Sequence, residues 1–484
     1  MAPPRAVAIA ALCAACQAGA ASGPDAGGDG APAGTGEETC QTRSGSRLRR
    51  VVRQHSDGTR DFVGMHDVDL DVDCSFQGDG DALRCRPVVD GVRVVSGFID
   101  YIDVDCTQPI AEVFPADEQA PRYLVSSVEE TTCRWRDATF ALGAARDIAP
   151  DATIYTRVAG DCAPLTAGES AYYAIDREID RPELAGGTEI AVGEGRISMR
   201  QVEGDDSSRS CDSYSLHDSE LETDCALAYG EDDAIRCLPD AAYAMTLSTD
   251  PMCATDTTVA VTGGECDREV GYVSAPGPET CPRRARIHLL GEAMAGTLYW
   301  ELSGTCEQFA LYEGETAHRL GAAVAAGSFA AFARDWVPLG GRLERGDLVD
   351  EGGLRFHRFS MRDTEMDHIC AFALAADGTE RCLPWDAPDL PVAYVDSRYR
   401  DADCTQAVSV AIAIDACEGD PAPRLATSWE PDGTTRVYEL GPHAAGPLYE
   451  MGTACTEVAD LGAIYALGAE VAPDRFVSGS ETVE

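Results

Sequence analysis

The chain contains no lysine and no asparagine, so all 38 of its cations are arginine. Codons for both missing residues are AT-rich, and a GC-rich genome is the simplest cause. The two absences exclude a Walker A lysine, a Schiff-base lysine, the protein-kinase catalytic set and an N-glycosylation sequon. Cationic charge is scarce altogether: 83 acidic residues leave a formal net charge of −45. Such a surface repels nucleic acid and anionic lipid, because binding either depends on cationic contacts to phosphate. Histidine is sparse at eight residues, and no Cys-x-x-Cys lies beyond Cys16, so close zinc-ligand pairs are missing. No serine has glycine two residues to either side, and His-Glu-x-x-His does not occur. No apolar run after the first residues is long enough to span a bilayer. The uncharged stretch Leu320 to Ala333 has only 14 residues. Nothing in these patterns calls for a cofactor or a metal.

What is present begins with an export address. Met1 to Arg5 carries one positive charge, and Ala6 to Ala15 is an apolar stretch suited to a signal-peptide core. Cys16 follows Ala14 and Ala15 in the manner of a bacterial lipobox and is the expected lipidation site, although Cys13 stands where leucine is usual. A cut near Ala18-Gly19-Ala20 is the alternative. Residues 17–39 hold 15 Gly, Ala or Pro among 23, a composition that makes a flexible tether and not a core. The remaining 18 cysteines are dispersed, which reads as disulfides in an oxidising envelope. The expected location is the bacterial outer membrane, facing either side, or the medium; contact with membrane comes only through the lipid.

Self-comparison divides the body into three copies. They open at Arg47-Leu48, Arg196-Ile197 and Arg342-Leu343, a period of 149 and then 146 residues. Each continues with an acidic segment ending in Cys74, Cys225 or Cys370. Arg84-Cys85-Arg86-Pro87, Arg236-Cys237-Leu238-Pro239 and Arg381-Cys382-Leu383-Pro384 come next. A third cysteine stands at Cys106, Cys253 and Cys404, and a last at Cys162, Cys306 and Cys455, shortly after Tyr155, Tyr299 and Tyr449. The expected division is a signal peptide over 1–16, the tether over 17–39, and copies over 40–194, 195–340 and 341–484.

Asp79-Gly80 marks a hairpin centred between Cys74 and Cys85. Folding there places the two cysteines directly opposite each other, with Asp73 opposite Arg86 and, in the third copy, Ile369 opposite Leu383. The expected bridges are Cys74–Cys85, Cys225–Cys237 and Cys370–Cys382. Short β-branched or aromatic runs such as Thr153 to Val158 and Ala407 to Ile414 read as further strands. The class is all-β. Tyr-x-Asp-x-Asp-Cys at 101–106 loosely resembles the stretch ending Gly160-Asp161-Cys162, so each copy reads as two halves. Six halves suit a six-bladed propeller; three packed sandwich-like modules are the alternative. Odd cysteine counts in the second and third copies imply a bridge between copies if every thiol is paired.

Asp377-Gly378-Thr379-Glu380-Arg381-Cys382-Leu383-Pro384, followed by Tyr399-x-x-Ala402-Asp403-Cys404-Thr405, resembles a repeat of uncharacterised lipoproteins of myxobacterial type. The resemblance runs from about Arg47 to the end and implies no catalytic residue. Arg86 replaces the leucine in the first copy, and the second lacks the aspartate before Cys253.

The alternation from Asp67 to Asp73 invites a calcium reading. Counted from Asp67, however, Val72 and Gly78 stand where an EF-hand needs Gly and Glu. Period-two alternation instead puts the four aspartates on one solvated strand face and Val68, Leu70 and Val72 on the other. His66 and His217 share a register, but the third copy has Arg362 there. With so many carboxylates, a glycosidase-like pair carries no weight. The function expected is therefore a non-catalytic, envelope-anchored protein whose stapled β scaffold binds a protein or glycan through an exposed aromatic or arginine patch. The alternative is a secreted carbohydrate-active enzyme, a glycoside hydrolase or lyase with a carboxylate pocket. Trp135, Trp300, Trp336, Trp385 and Trp429 are the candidate anchors.

Overall fold

The computed structural model describes residues 41–484, apart from short internal segments such as 114–119, 264–269, 277–283, 386–390 and 414–420. Signal peptide, tether and Cys16 lie outside the described residues. Among those described, strand dominates, and helix is confined to three single 3-10 turns at Arg181–Glu183, Ala326–Ser328 and Pro473–Arg475.

Two kinds of sheet alternate along the chain. The first is a ribbon, built in the first unit from Leu48–His55, Arg60–Asp67, Val72–Asp79 and Ala82–Pro87. The chain then forms a barrel from Val94–Tyr101, Pro109–Val113, Tyr123–Thr131, Arg134–Arg146 and Ala171–Glu178. A parallel pairing of Val94 to Ser96 with Tyr123 to Val125 closes it at five strands, and the hairpin Thr153–Val158/Asp161–Thr166 hangs on its first strand. The same wiring recurs between Ala242 and Ala323 and between Ala393 and Glu470. A five-stranded barrel is narrow, so small residues fill it. In the third barrel these are Ala393, Ala411, Ala413 and Ala426, packed around Tyr465. In the second, Cβ atoms on Gly291 and Gly321 would lie 2.4 and 2.7 Å from the facing strand's carbonyls, so only glycine allows this close approach.

The ribbons join into one fifteen-stranded antiparallel sheet. Leu83 and Arg84 pair with Gly187 and Gly186, and Ile235 and Arg236 with Phe332 and Ala331. Arg381 bridges to Ser478, next to the last strand Gly479–Val483, which itself pairs with Leu48–His55. The sheet thus closes into a ring. At every seam the second cysteine of the hairpin donates its N–H across: Cys85 to Ala185, Cys237 to Ala330 and Cys382 to Val477, at 2.8, 3.0 and 2.9 Å. Phe62, Met65, Ile197, Met199, Leu343 and Phe356 are fully buried in this sheet's core.

The all-β class is what forms, but a six-bladed propeller is not: three closed five-stranded barrels accompany one continuous sheet, and sandwich-like modules do not form either. The two halves of each copy build different objects. The stretches at Cys106 and Cys162, taken as equivalent, are two sides of one disulfide clasp.

Cys74–Cys85, Cys225–Cys237 and Cys370–Cys382 are bonded, with Cα atoms 5.3, 5.2 and 5.1 Å apart. The hairpin register differs from expectation. Cys74 lies opposite Pro87 and Phe76 opposite Cys85, a slip of two residues that makes each bridge diagonal. Arg86 accordingly faces Ser75, and Leu383 faces Ala371. Because side chains alternate with period two, such a slip keeps both cysteines on one face. In the third unit, Ala375 N–H bonds Thr379 O around a loop whose last residue, Gly378, has φ 72°. Cys253–Cys306 and Cys404–Cys455 repeat the clasp, and all six of these bridges stay within one unit; Cys211 is also disulfide-bonded.

Loop-closure entropy separates the two bridge types. Replacing Cys370 and Cys382 by serine is expected to cost about 3 kcal/mol, and replacing Cys404 and Cys455 about 4 kcal/mol, in urea unfolding of the purified protein.

Candidate functional site

The residues that recur at matching positions come together, and their chemistry is structural. Arg47 donates from Nε and Nη2 to the two carboxylate oxygens of Asp67 at 2.8 and 2.7 Å, and from Nη2 to the carbonyl of Glu183 at 2.5 Å. Arg196 treats Asp218 and the Ser328 carbonyl in the same way, while Arg342 donates from Nε to one oxygen of Asp363 at 2.6 Å and from Nη2 to the Arg475 carbonyl at 2.8 Å. All three aspartates are wholly buried. Each also accepts two backbone N–H groups of the turn that follows it, as Asp67 does from Asp69 and Leu70. For Arg47 and Arg196 the hydrogen bond to the aspartate, opposed by burial, holds the guanidinium above its usual pKa.

This geometry corrects the reading of an acidic strand face. The strand ends at Asp67, and Val72 begins the next. Between them Val68 is 44% exposed, Leu70 is buried and Asp71 has φ 56°. Glu222 and Asp367 adopt the same left-handed conformation in the other units. Among the described residues, no cluster of His, Cys, Asp or Glu is arranged to hold a metal ion. The Asp-x-x-Cys-Thr-Gln motif is likewise a loop device. Asp103 accepts the N–H groups of Thr107 and Gln108 and the Thr107 hydroxyl, and Asp401 does the same for Thr405 and Gln406. These bonds support Cys106 and Cys404 at φ 50° and 49°, where they reach their clasp partners.

Units are also tied by hairpin turns. Asp206 accepts the N–H groups of Arg47 and Leu48, both at 2.8 Å, and Asp57 accepts those of Arg342 and Leu343 at 2.8 and 3.0 Å. At the third joint Gly352 packs against Gly195 instead.

Two buried titratable groups stand apart from this scheme. His357 is wholly enclosed in the ribbon. Burial first and Arg345 second push it down to about 4, against the opposing pull of Asp347 and Asp61. In the first barrel, burial and the Glu112 carboxylate push Asp100 up to about 6, while a hydrogen bond from Thr156 opposes the rise. Tyr172 donates to Glu112 at 3.2 Å beside this pair. A third enclosed group, His55, bonds Asp61 at 2.6 Å and Thr59 at 2.7 Å beside the ring of Phe372. The three partners are at most 7% exposed, so this His–Asp–Thr cluster does not meet solvent.

The remaining candidates are scattered. His66 and His217 pair with Asp73 and Asp224; His288 and His318 bond the carbonyls of Gly321 and Gly291; His443 stacks on Tyr465. Tyr155, Tyr299 and Tyr449 are half-buried on the clasp hairpins. Trp300, Trp385 and Trp429 are 41, 50 and 69% exposed, and Trp429 leans on Tyr394 with ring centroids 5.6 Å apart. Trp336 is half-buried under Arg334; the side chain of Trp135 lies outside the described residues. A cleft of about 600 Å³ opens between the third barrel and the ribbon turn at Glu365 to Asp367. Met366, His368, Leu425, Leu440, Tyr465 and Arg475 are among its lining residues. The sequence marks it only by a difference between copies at Leu425 and Arg475, which no motif records.

Asp218→Ala leaves Arg196 without its buried partner and is expected to cost about 3–5 kcal/mol, with Arg196→Met/Asp218→Leu recovering part of that in chemical denaturation. His357 lies below its ordinary value, so its contribution is complete above pH 6.5 and lost as pH falls toward 4. A melting-temperature profile of His357→Phe is therefore expected to fall less steeply through that window. Asp100 lies above its ordinary value, so its contribution is present below pH 3.8 and lost as pH rises through about 6. Asp100→Asn should raise the melting temperature at pH 8 and leave it little changed at pH 4.

No characterised protein and no solved structure shows significant similarity to the chain. Residues 37–329, well over half of the sequence, match the model of a family of unknown function (DUF7481), and the protein belongs to that family.

Proposed function

We propose that the protein is a non-catalytic, disulfide-stabilised binding or surface-display protein, exported and anchored in the bacterial envelope through a lipid on Cys16. The observation that carries this reading is a division of labour. The acidic residues that recur between units are spent on arginines, backbone amides and loops, while three tryptophans face solvent at 41, 50 and 69% exposure. Aromatic side chains with a polar rim are the usual anchors of a recognition surface. The six bridges described above, with Cys211 bonded as well, suit an oxidising compartment. Among the described residues, no helix is long and apolar enough to cross a membrane. The partner is a protein or glycan that is not itself strongly anionic, since a charge of −45 disfavours one. The body is a triplication of one ribbon-and-barrel unit, akin to the lipoprotein repeats of myxobacterial type. A carbohydrate-active enzyme is the second reading, resting on the raised carboxyl of Asp100 beside Glu112. Asp100 is only 2% exposed, which disfavours substrate access.

Metabolic labelling with palmitate is expected to mark the wild-type protein and not Cys16→Ser, which should appear in the soluble fraction. Titration with neutral oligosaccharides and envelope proteins should find a ligand whose affinity falls at least tenfold in Trp385→Ala/Trp429→Ala. Turnover of that ligand by wild type would remove the non-catalytic reading.

A further inference from the structure

We propose that the cleft of the third unit is a binding site for a small amphipathic molecule with an apolar body and one carboxylate head. This goes beyond the tryptophan surface and stands whether or not that surface carries a partner. The shared strand pairings align the same place in the three units.

In the first unit that place is filled. Tyr123 packs with Leu70, Val94 and Leu184, and its hydroxyl donates to the Leu70 carbonyl at 3.3 Å. Arg93 and Arg122 both hold Asp71, which ties the turn down over the barrel. In the second unit Tyr272 takes the same position beside Leu221. The third unit differs at four points around one space. Leu425 stands in place of the tyrosine, and Pro391 in place of Arg93, leaving Arg424 on Asp367 at 3.3 Å. His368 replaces Val72 as the first residue of its strand. Arg475 occupies the position whose carbonyl receives the unit's opening arginine, where the first unit has Glu183 and the second Ser328. The plug and one tether are gone, and an arginine stands where the first unit has a glutamate and the second a serine.

The resulting lining has a definite chemistry. Met366, Val392, Leu425, Leu440 and Val471 supply apolar wall. His368 is 95% buried, and neither ring nitrogen makes a hydrogen bond of normal geometry; the Asp363 carboxylate, then the carbonyls of Cys382 and Met366, oppose the effect of that burial. Burial favours its neutral form. Arg475 is exposed at the rim, and the contact of its guanidinium among the described residues is the thioether sulfur of Met366 at 3.3 Å, a weak acceptor. Two of the cleft's carboxylates have arginine contacts: Glu365 with Arg342, which also holds Asp363, and Asp367 with Arg362 and Arg424. Arg475 is thus placed to take a carboxylate, and the volume is in the range of small-molecule sites. Glu439 also lines the cleft and opposes an anionic head there, so Arg475 is the group that must outweigh it.

Calorimetric titration of the purified full chain with octanoate and, separately, 1-octanol tests this. Wild type is expected to bind octanoate at one site per chain, about tenfold tighter than octanol. Arg475→Gln should reduce octanoate to the octanol level. Leu425→Tyr, which restores the residue of the other units, should abolish both. Absence of octanoate binding by wild type, equal affinity for acid and alcohol, or unchanged binding by folded Leu425→Tyr overturns the proposal. If Leu425→Tyr does not fold, Arg475→Gln on the exposed rim decides.

Discussion

Three wholly buried aspartates set the architecture. An ionised carboxylate removed from water costs several kcal/mol unless it is paired and its remaining lone pairs are filled. Asp67 and Asp218 meet that demand with one arginine on both oxygens and two turn amides each; in Asp363 the arginine and both amides share Oδ1, and Oδ2 is left unpaired. The same arginine then reaches a carbonyl of the 3-10 turn that leads out of the barrel. One side chain therefore fixes where a ribbon begins, how its second hairpin turns and where the barrel returns to it. The cysteine N–H groups at the three seams do the rest, carrying the sheet from one unit to the next and back to its start.

The acidity of the chain looks different in this light. The aspartates that recur between units act locally, filling backbone donors in turns that would otherwise be strained or open. Many of the remaining acids face solvent, where their charge disfavours association through the sheets; Asp61, Asp100, Asp347 and Asp350 are buried. Recognition must then come from side chains that are not acidic, and both candidate surfaces fit: exposed tryptophans on one hand, a cleft with an arginine rim on the other.

Legibility followed the range of each interaction. The hairpin cysteines could be paired from spacing because a strand alternates its faces every residue, and this held despite a register two residues away from the one a centred Asp79-Gly80 turn implies. The stretch from Asp67 to Asp73 misled for a related reason. Alternating acids and valines look like a strand, and nothing local announces that Asp71 sits at φ 56° and breaks it. The Tyr-x-Asp-x-Asp-Cys stretch and its partner are the two ends of one disulfide clasp, a loop after Tyr101 and a strand of the hairpin that pairs with it, and not two copied blades. The cleft was invisible, since Leu425 and Arg475 mean something only beside Tyr123 and Glu183.

By itself the sequence determined the all-β class, the hairpin bridges and the want of cationic surface, all of which depend on composition or on residues within a dozen positions of each other. Tertiary structure alone decided that the halves become a ribbon and a barrel, that the ribbons close into one ring, and that one barrel mouth stands open. Those outcomes rest on a buried charge meeting its partner across some twenty residues, and on strands pairing between the first and last segments of the chain. No local periodicity records contacts of that range.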